Sequence, residues 1–258
     1  MENSQQFSSL QERLYQNERL AKIMEILRAK KYVSVKTLTE ILNYSNATVN
    51  RDLNILEKKR LVKRSYGGVE LTDSPDSLAI RYEKMKPSKV ALAKKAAQLV
   101  CDGDVLFIDA STTTEYMAPY LTEKKDLTVI SNNMALIRYL SQYSVCCVCL
   151  GGTVAEPPDM LCGDDTVKNA AGYYANKMFF STGGISREGF ISFGGTYGAL
   201  HQTMMEHSSR VYYMADRDKI IPTPGRVKHL GEFHGVIVDF SIDAAVKEKC
   251  PDTEFYEI

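Results

Sequence analysis

Polar and basic residues recur at helical spacing between residues 45 and 58, so that a helix there would carry them on one face. Asn50, Arg51 and Asn54 are residue types that read bases, because asparagine can make paired hydrogen bonds with adenine and arginine with guanine or a phosphate. A merely solvated face would more often carry Glu, Lys and Ala, since asparagine is a poor helix former. We therefore predict that this segment lies in the major groove of double-stranded DNA, with contacts from Ser45, Asn46, Ala47, Thr48, Asn50, Arg51, Asn54 and Lys58.

A basic hairpin follows this helix. Leu61-Val62 begins a strand, and Gly67-Gly68 supplies the turn. A winged helix-turn-helix places one helix in the major groove and such a hairpin, the wing, against the neighbouring phosphates. We therefore predict sugar–phosphate contacts from Lys63, Arg64 and Tyr66.

Two further helices are needed to support that face. Residues 18–30 carry one apolar stripe at i, i+3, i+4 and i+7: Leu20, Ile23, Met24 and Leu27. Ser34 is a suitable N-cap for a second helix, and Ser45 for the third. We predict a compact winged helix-turn-helix unit at residues 1–71, followed by a polar, turn-rich linker at residues 72–88.

The charge is distributed unevenly along the chain. Residues 1–72 carry 13 Lys and Arg against 8 Asp and Glu, whereas the remaining residues carry 19 against 24, so the formal net charge of zero hides a basic N-terminal part. Surface charges fluctuate by chance, but a basic unit on an acidic body also fits contact with nucleic acid through one end only.

The composition predicts a soluble globular protein, with 44% hydrophobic and 25% charged residues. No run of 18 apolar residues is present, and the first residues do not resemble a signal peptide. Neither the six cysteines nor the four histidines have the spacing of a metal site, so the histidines are assigned surface or structural roles. We predict a cytoplasmic protein without metal or cofactor, and we interpret the cysteine-rich run at 145–150 as a buried strand.

Helical and strand patterns alternate from residue 89 onward. Helices are predicted at 89–101, 115–122, 133–140 and 199–208, and strands at 105–109, 127–130, 145–150, 178–181, 211–214 and 236–239. Continuous apolar strands separated by helices indicate a mostly parallel sheet that is covered on both faces. The predicted fold is therefore an open, Rossmann-like α/β domain at residues 89–258.

Ligands of such sheets bind beyond the carboxyl ends of the strands. Hydroxyl-rich and glycine-rich segments follow several of these ends, and one lysine lies close behind another strand. Ser and Thr runs are often ordinary caps and Gly-Gly is often only a turn, but together at one sheet edge they suit a phosphorylated small molecule. The predicted ligand residues are Asp109, Ser111, Thr112, Thr113, Thr114, Ser131, Asn132, Gly151, Gly152, Gly183 and Lys219.

The first of these regions resembles the winged helix-turn-helix of the DeoR family of bacterial transcriptional regulators. The residues that match the family pattern are Ser45, Thr48, Arg51, Asp52, Leu53, Leu56, Glu57, Leu61, Arg64, Gly67 and Gly68. The chain departs from the pattern at Tyr44, Asn50, Arg60 and Tyr66. Asn50 replaces an arginine, which changes either the base preference or a phosphate contact.

The resemblance extends to the effector-sensing domain of the same family and covers roughly residues 18 to 240. The matches include Lys89, Asp109, Thr112-Thr113, Asn132, Gly151-Gly152, Gly163, Phe180, Asp216 and Lys219. The resemblance implies a domain similar to ribose-5-phosphate isomerase that binds a sugar phosphate, with Ser111–Thr114 on the phosphate and Lys219 on the ligand. The departures are Ser111 in place of glycine, Tyr197-Gly198 in place of an acidic pair, and Arg217-Asp218 before the lysine.

Three functions are compatible with these residues. A sugar-phosphate isomerase needs a base and an enediolate stabiliser, for which Asp109, Glu206, Asp216 and Lys219 are candidates, but residues 194–200 offer no carboxylate. A constitutive DNA-binding protein with a degenerate pocket would explain Ser111. The interpretation we favour is a non-enzymatic repressor of carbohydrate genes that binds an operator as a homodimer or homotetramer and responds to a phosphorylated effector.

Overall fold

The structure is a computed structural model, and it describes residues 19–20, 22–27, 30, 32–58, 62–65, 67–71, 84–155, 160–194, 197–222, 225 and 227–258. The chain divides into two compact units, residues 1–81 and 82–258. Within the described ranges, no helix is long and apolar enough to cross a bilayer, and no three His, Cys, Asp or Glu side chains are grouped as a metal site requires.

The N-terminal unit combines helices with a small antiparallel sheet. Its helices are α1 (helical at 19–20 and 22–27), α2 (Val35–Leu42) and α3 (Asn46–Lys58). Its strands are β1 (Tyr32–Ser34), β2 (Val62–Ser65) and β3 (Gly68–Leu71), in the order β1-β3-β2. The predicted hairpin is confirmed: Gly67 has a φ of +74°, which glycine adopts without strain, and Ser65 pairs with Gly68.

Both predicted N-caps are confirmed. Ser34 Oγ accepts a hydrogen bond from Thr37 N at 3.0 Å, and Ser45 Oγ accepts one from Thr48 N at 3.2 Å. The apolar faces of the three helices meet in one core, whose members include Leu20, Ile23, Met24, Leu27, Leu38, Val49, Leu53 and Leu56. These local signals place the polar face of α3 outward, because its apolar face is occupied by the core.

An ion pair between Arg19 and Asp52 connects α1 to α3. Arg19 donates from Nε to Asp52 Oδ2 at 2.8 Å and from Nη2 to Asp52 Oδ1 at 3.0 Å. The Asp52 residue is 1% exposed, and the Arg19 guanidinium lies 5.0 Å from the centroid of the Tyr44 ring. A paired geometry of this kind fixes both direction and distance between the two helices.

The C-terminal unit is an α/β domain, as the sequence predicts. Its strands are β4 (Val105–Ile108), β5 (Thr128–Ser131), β6 (Cys146–Cys149), β7 (Thr153–Ala155), β8 (Met160–Cys162), β9 (Ala175–Phe180), β10 (Phe190–Ser192), β11 (Ser208–Ala215), β12 (Val227–His229), β13 (Gly235–Val238) and β14 (Glu254–Glu257). Seven of them form a sheet in the order β14-β13-β11-β9-β4-β5-β6, and every pairing in that sheet is parallel. The pairs β7–β8 and β10–β12 are antiparallel and lie outside it.

Helices cover both faces of this sheet. They are α4 (Lys86–Gln98), α5 (Ala118–Leu121), α6 (Met134–Leu140), α7 (Asp164–Ala170), α8 (Gly198–Glu206) and α9 (Ala244–Glu248), with 3₁₀ turns at Glu115–Met117 and Arg217–Lys219. One apolar core joins α4, α5 and α6 to the sheet, and a second joins α7, α8 and α9 to it. Two-sided burial explains why the central strands are continuously apolar.

Two predictions about elements need correction. The run at 145–150 is not a buried strand, because β6 is the outermost strand of the sheet and exposes Cys146 and Cys149. The helix predicted at 89–101 begins earlier, at Lys86, since Pro87 suits the first turn of a helix. The last residues of the predicted linker are therefore helical, while residues 72–83 lie outside the described part of the chain.

Candidate functional site

The predicted DNA face lies on α3 as one surface. Asn46, Ala47, Arg51, Asn54 and Lys58 are exposed, and Thr48 and Asn50 are half-buried beside them. Ser45 precedes the helix, and its hydroxyl lies 2.9 Å from the Thr48 hydroxyl. The structure therefore brings the predicted helix residues together on the side of α3 that faces away from the core, which here is called the recognition face.

The wing meets this face through one side chain. Lys63 on β2 is exposed, whereas Arg64 turns back onto α3. Its guanidinium donates to Asn50 Oδ1 at 2.9 Å, to the Asn50 carbonyl oxygen at 3.0 Å and to Asn54 Oδ1 at 2.7 Å. The sequence prediction did not include this contact, and Tyr66, which the sequence assigned to the wing, lies outside the described residues.

In the C-terminal unit, Asp109 organises the loop that follows β4. This carboxylate is 3% exposed. Its Oδ1 accepts from Thr114 Oγ1 at 2.7 Å and from Ser111 N at 3.3 Å, and its Oδ2 accepts from Ser181 N at 3.2 Å. Ser111 Oγ also caps the loop by accepting from Thr114 N at 3.2 Å. The loop at Ser111–Thr114 thus has a fixed shape, held against the end of β9.

Two lysines converge on this loop from different elements. Lys89 on α4 donates from Nζ to Thr112 Oγ1 at 3.0 Å, and Lys219, at the end of the 3₁₀ turn after β11, donates from Nζ to Thr113 Oγ1 at 3.0 Å. Lys219 Nζ also donates to the Ser181 hydroxyl. Lys89 is 4% exposed, although a buried ammonium is costly to desolvate. The loop at Ser111–Thr114 and the two ammonium groups that donate to it are here called the lysine pocket.

Asp216 helps to hold Lys219 in position. Its Oδ1 accepts from Asp218 N at 3.1 Å and caps the 3₁₀ turn that carries the lysine. Burial raises the pKa of Asp216 above its ordinary value, and the charges of Lys219 and Lys89 oppose this effect. The turn is also attached to β13, because Arg217 N donates to Asp239 Oδ1 at 2.6 Å.

Three more of the predicted ligand residues lie at neighbouring strand ends. Ser131 Oγ donates to the Ile108 carbonyl oxygen at 2.6 Å, which links β5 to β4. Asn132 Nδ2 donates to the Leu161 carbonyl oxygen at 2.9 Å, while its buried Oδ1 has no hydrogen-bond partner within the described part of the chain. Gly183 is exposed just after Ser181, and a Cβ there would meet no atom within 4 Å.

Gly151 and Gly152 lie apart from the loop after β4. They follow β6, which is two strands away from β4 in the sheet, so they are about 10 Å distant in the sheet direction. Gly152 has a φ of +112°, and a Cβ there would lie 2.0 Å from Thr166 Oγ1. These contacts explain the glycine at this turn by its packing against α7, so no ligand is needed to account for it.

Lys89, Ser181 and His201 are the pocket residues that the site prediction omitted. His201, on α8, was assigned a surface or structural role; its Nε2 lies 3.3 Å from Asp109 Oδ2, and its ring packs against Phe180 at 5.5 Å between centroids, which is compatible with a structural role. Neither Ser181 nor His201 is near the β4 loop in sequence, so no local pattern could identify them. Lys89 alone carried a signal, since it matched the family pattern.

Comparison with known proteins identifies both units. Residues 19–75 match the DeoR-like helix-turn-helix domain, and residues 84–240 match the DeoR C terminal sensor domain. The transcriptional regulator YulB of Bacillus subtilis (strain 168) is 32% identical over 208 residues, which cover 78% of this chain and 80% of YulB.

Two further comparisons differ in kind. The lactose phosphotransferase system repressor of Lactococcus lactis subsp. lactis is 26% identical over 208 residues and is covered over 82% of its length, against 78% of this chain. The solved ribose 5 phosphate isomerase A of Neisseria gonorrhoeae is 15% identical, with a TM-score of 0.38 and coverage of 53% of this chain and 54% of that chain. On its two family matches and its identity with curated regulators, the chain belongs to the DeoR family of DNA-binding transcriptional regulators and is not an enzyme.

Proposed function

We propose that the chain is a repressor of carbohydrate genes whose lysine pocket binds a phosphorylated sugar or a related metabolite, and that this binding changes its affinity for operator DNA. One observation carries the proposal: Lys89 Nζ and Lys219 Nζ each lie 3.0 Å from a hydroxyl of the same loop, at Thr112 and Thr113. Two ammonium groups on one loop suit a dianionic phosphate, which accepts hydrogen bonds from ammonium and hydroxyl groups alike. The name of one relative, the lactose phosphotransferase system repressor, supports a sugar-linked ligand.

The pocket supplies separate groups for the two parts of such a ligand. The phosphate replaces the hydroxyl partners of the lysines and is also contacted by Ser111, Thr112 and Thr113. Asp109 repels the phosphate, so its carboxylate orients the loop and accepts from sugar hydroxyls instead. Residues from neighbouring strand ends complete the proposed site: Thr114, Ser131, Asn132 and Gly183.

The two units of the chain have separate tasks in this function. Residues 1–71 bind the operator, residues 89–258 bind the effector, and residues 72–88 join them. Operators of helix-turn-helix proteins are commonly two-fold symmetric, because two recognition helices must reach two half-sites about one helical turn apart. We therefore assign the working state to a homodimer or a homotetramer, in which the effector alters the spacing of paired recognition faces.

The test begins with the operator. Sheared genomic DNA recovered on the purified protein identifies bound loci, and a fluorescent duplex from one locus is then titrated with phosphorylated sugars and with the same sugars lacking phosphate. The proposal expects release, or tightening, by one or a few phosphorylated sugars alone. Equal responses to phosphorylated and neutral sugars would show that the lysine pocket does not read phosphate. A bound locus that ignores the whole panel would favour a constitutive DNA-binding protein with a degenerate pocket.

The recognition face makes a separate prediction. Arg51 is exposed on α3 and donates to no acceptor in the described part of the chain, so its guanidinium is available to a guanine or a phosphate. Arg51→Ala is expected to weaken operator binding by about 1–3 kcal/mol, measured as the dissociation constant at fixed salt. Glu40→Ala, which removes an exposed side chain from α2, serves as the control in the same unit. Wild-type affinity in the Arg51 variant would show that this part of α3 does not touch DNA.

A further inference from the structure

Arg64 joins the wing to the recognition face through two asparagine amides. Its Nη1 donates to Asn50 Oδ1, and its Nη2 donates both to the Asn50 carbonyl oxygen and to Asn54 Oδ1. Glu57 holds the arginine from the other side, because Glu57 Oε2 lies 3.6 Å from Arg64 Nε and Glu57 Oε1 accepts from Arg64 N at 3.4 Å. Four residues of α3 and β2 therefore form one connected group inside the N-terminal unit.

The chemistry of arginine fixes which way each amide points. A guanidinium carries only donors, so an amide next to it must present its oxygen, and the amide nitrogen must face away. The Asn50 nitrogen is then used within the helix, where Nδ2 donates to the Asn46 carbonyl oxygen at 2.9 Å and also to Asn46 Oδ1. Asn54 is exposed, and its Nδ2 donates to no acceptor among the residues that the structure describes.

These orientations decide what the recognition face offers to a base. Paired contact with adenine requires an amide that both accepts from N6 and donates to N7, whereas guanine presents two acceptors, O6 and N7. The Asn54 oxygen is turned toward the Arg64 guanidinium, and its nitrogen donates to no acceptor in the described part of the chain, so the group that Asn54 has free for a base is a donor. The neighbouring exposed side chains, Arg51 and Lys58, are also donors.

We propose that Arg64 sets the base preference of α3: by holding the oxygens of Asn50 and Asn54 toward the wing, it makes Asn54 a donor that selects guanine over adenine at one position of each operator half-site. Arg64 is thus a positioning residue for base recognition, and the wing contributes to sequence reading without touching that base. Asn50 is a bridge between Arg64 and Asn46 in this arrangement, not a reader of adenine.

The test is a base-preference measurement on the full chain. Each variant selects duplexes from a library randomised across the operator, and selected sequences are counted. The base pair that Asn54 contacts is identified with Asn54→Ala: it is the operator position at which this variant loses the base preference of the wild type. At that position the wild type is expected to prefer guanine over adenine by about tenfold. Arg64→Lys, which has one donor centre in place of a planar fork, is expected to reduce this ratio to near one and to leave the other positions unchanged.

A matched control separates positioning from phosphate binding. Lys63→Ala removes an exposed cation from the same strand and is expected to weaken binding to all sequences by one common factor, with a lower salt dependence. In the Asn54→Ala background, Arg64→Lys is expected to leave every base preference as it is.

Two outcomes overturn the proposal. The first is a wild-type preference for adenine at the position identified by Asn54→Ala. The second is an Arg64→Lys variant that behaves like Lys63→Ala, with uniformly weaker binding and unchanged preferences. Circular dichroism checks the fold of each variant; if Arg64→Lys does not fold, the guanine-to-adenine ratio of the wild type and of Asn54→Ala decides the question.

Discussion

Replacing Lys219 with methionine is expected to abolish the response to phosphorylated sugars and to leave operator binding intact. Methionine keeps most of the side-chain volume but removes the ammonium that donates to Thr113 Oγ1 and to the Ser181 hydroxyl. A bound phosphate would then face Lys89 alone, and removing one partner of a desolvated charge pair costs about 2–5 kcal/mol of binding. The measurement is fluorescence anisotropy of operator DNA titrated with the effector, beside calorimetric titration of the effector without DNA.

Lys247→Met is a suitable control for this substitution. Lys247 lies on α9, and its Nζ pairs with Glu257 Oε1 at 2.7 Å. The Lys247 substitution therefore removes one cation from the same unit but leaves the lysine pocket unchanged. This control is expected to respond to the effector like the wild type. If Lys219→Met also responds with the wild-type midpoint, Lys219 does not contact the ligand, and the lysine pocket is not the effector site.

Replacing Asp52 with alanine is expected to destabilise the N-terminal unit by about 3 kcal/mol. The substitution leaves the Arg19 guanidinium without the two carboxylate oxygens that lie 2.8 and 3.0 Å from its nitrogens, and breaking a buried pair on one side typically costs about 3–5 kcal/mol. We take the lower end because the Arg19 side chain retains 17% exposure and can rehydrate in part. In a unit of this size the midpoint of thermal unfolding falls by about 4–8 °C for each kcal/mol.

The measurement is calorimetric unfolding of the full chain together with hydrogen exchange at the amides of α1 and α3. Asp52→Asn keeps the shape and one acceptor, so its loss of stability is expected to fall between those of the wild type and Asp52→Ala. Glu40→Ala is expected to stay within about 0.5 kcal/mol of the wild type, as exposed substitutions do. An Asp52→Ala variant as stable as Glu40→Ala would show that packing alone holds α1 on α3.

The parts of the fold that rest on local signals were predictable. Ser34 and Ser45 each cap a helix by accepting a hydrogen bond from the backbone amide three residues later, so the cap can be predicted from a few neighbouring residues. To predict that the β4 loop and Lys219 lie close together, one further rule was needed, namely that the carboxyl ends of parallel strands lie at the same edge of the sheet. That rule gives the edge but not the order of strands along it.

The contacts that were missed depend on strand order and on long-range packing. β9 lies between β4 and β11, which brings Ser181 to the loop and allows α8 to present His201 to Asp109. The same order moves Gly151 and Gly152 away and leaves β6 at the outside. The residue types in a cysteine-rich apolar run do not distinguish an edge strand from a central one, because cysteine is small and is tolerated in both.

The strand order also has a consequence for how the chain folds. β4 pairs with β9 on one side, and the ion pair between Asp104 and Lys177 at the start of those strands spans 73 positions. Chains whose native pairs are so distant in sequence fold slowly, because a long loop must close before such a pair can contribute to stability. The N-terminal unit depends on much shorter separations and leaves the ribosome first. We therefore expect the N-terminal unit to be folded during synthesis at a stage when the C-terminal unit has not yet closed its long-range strand pairs.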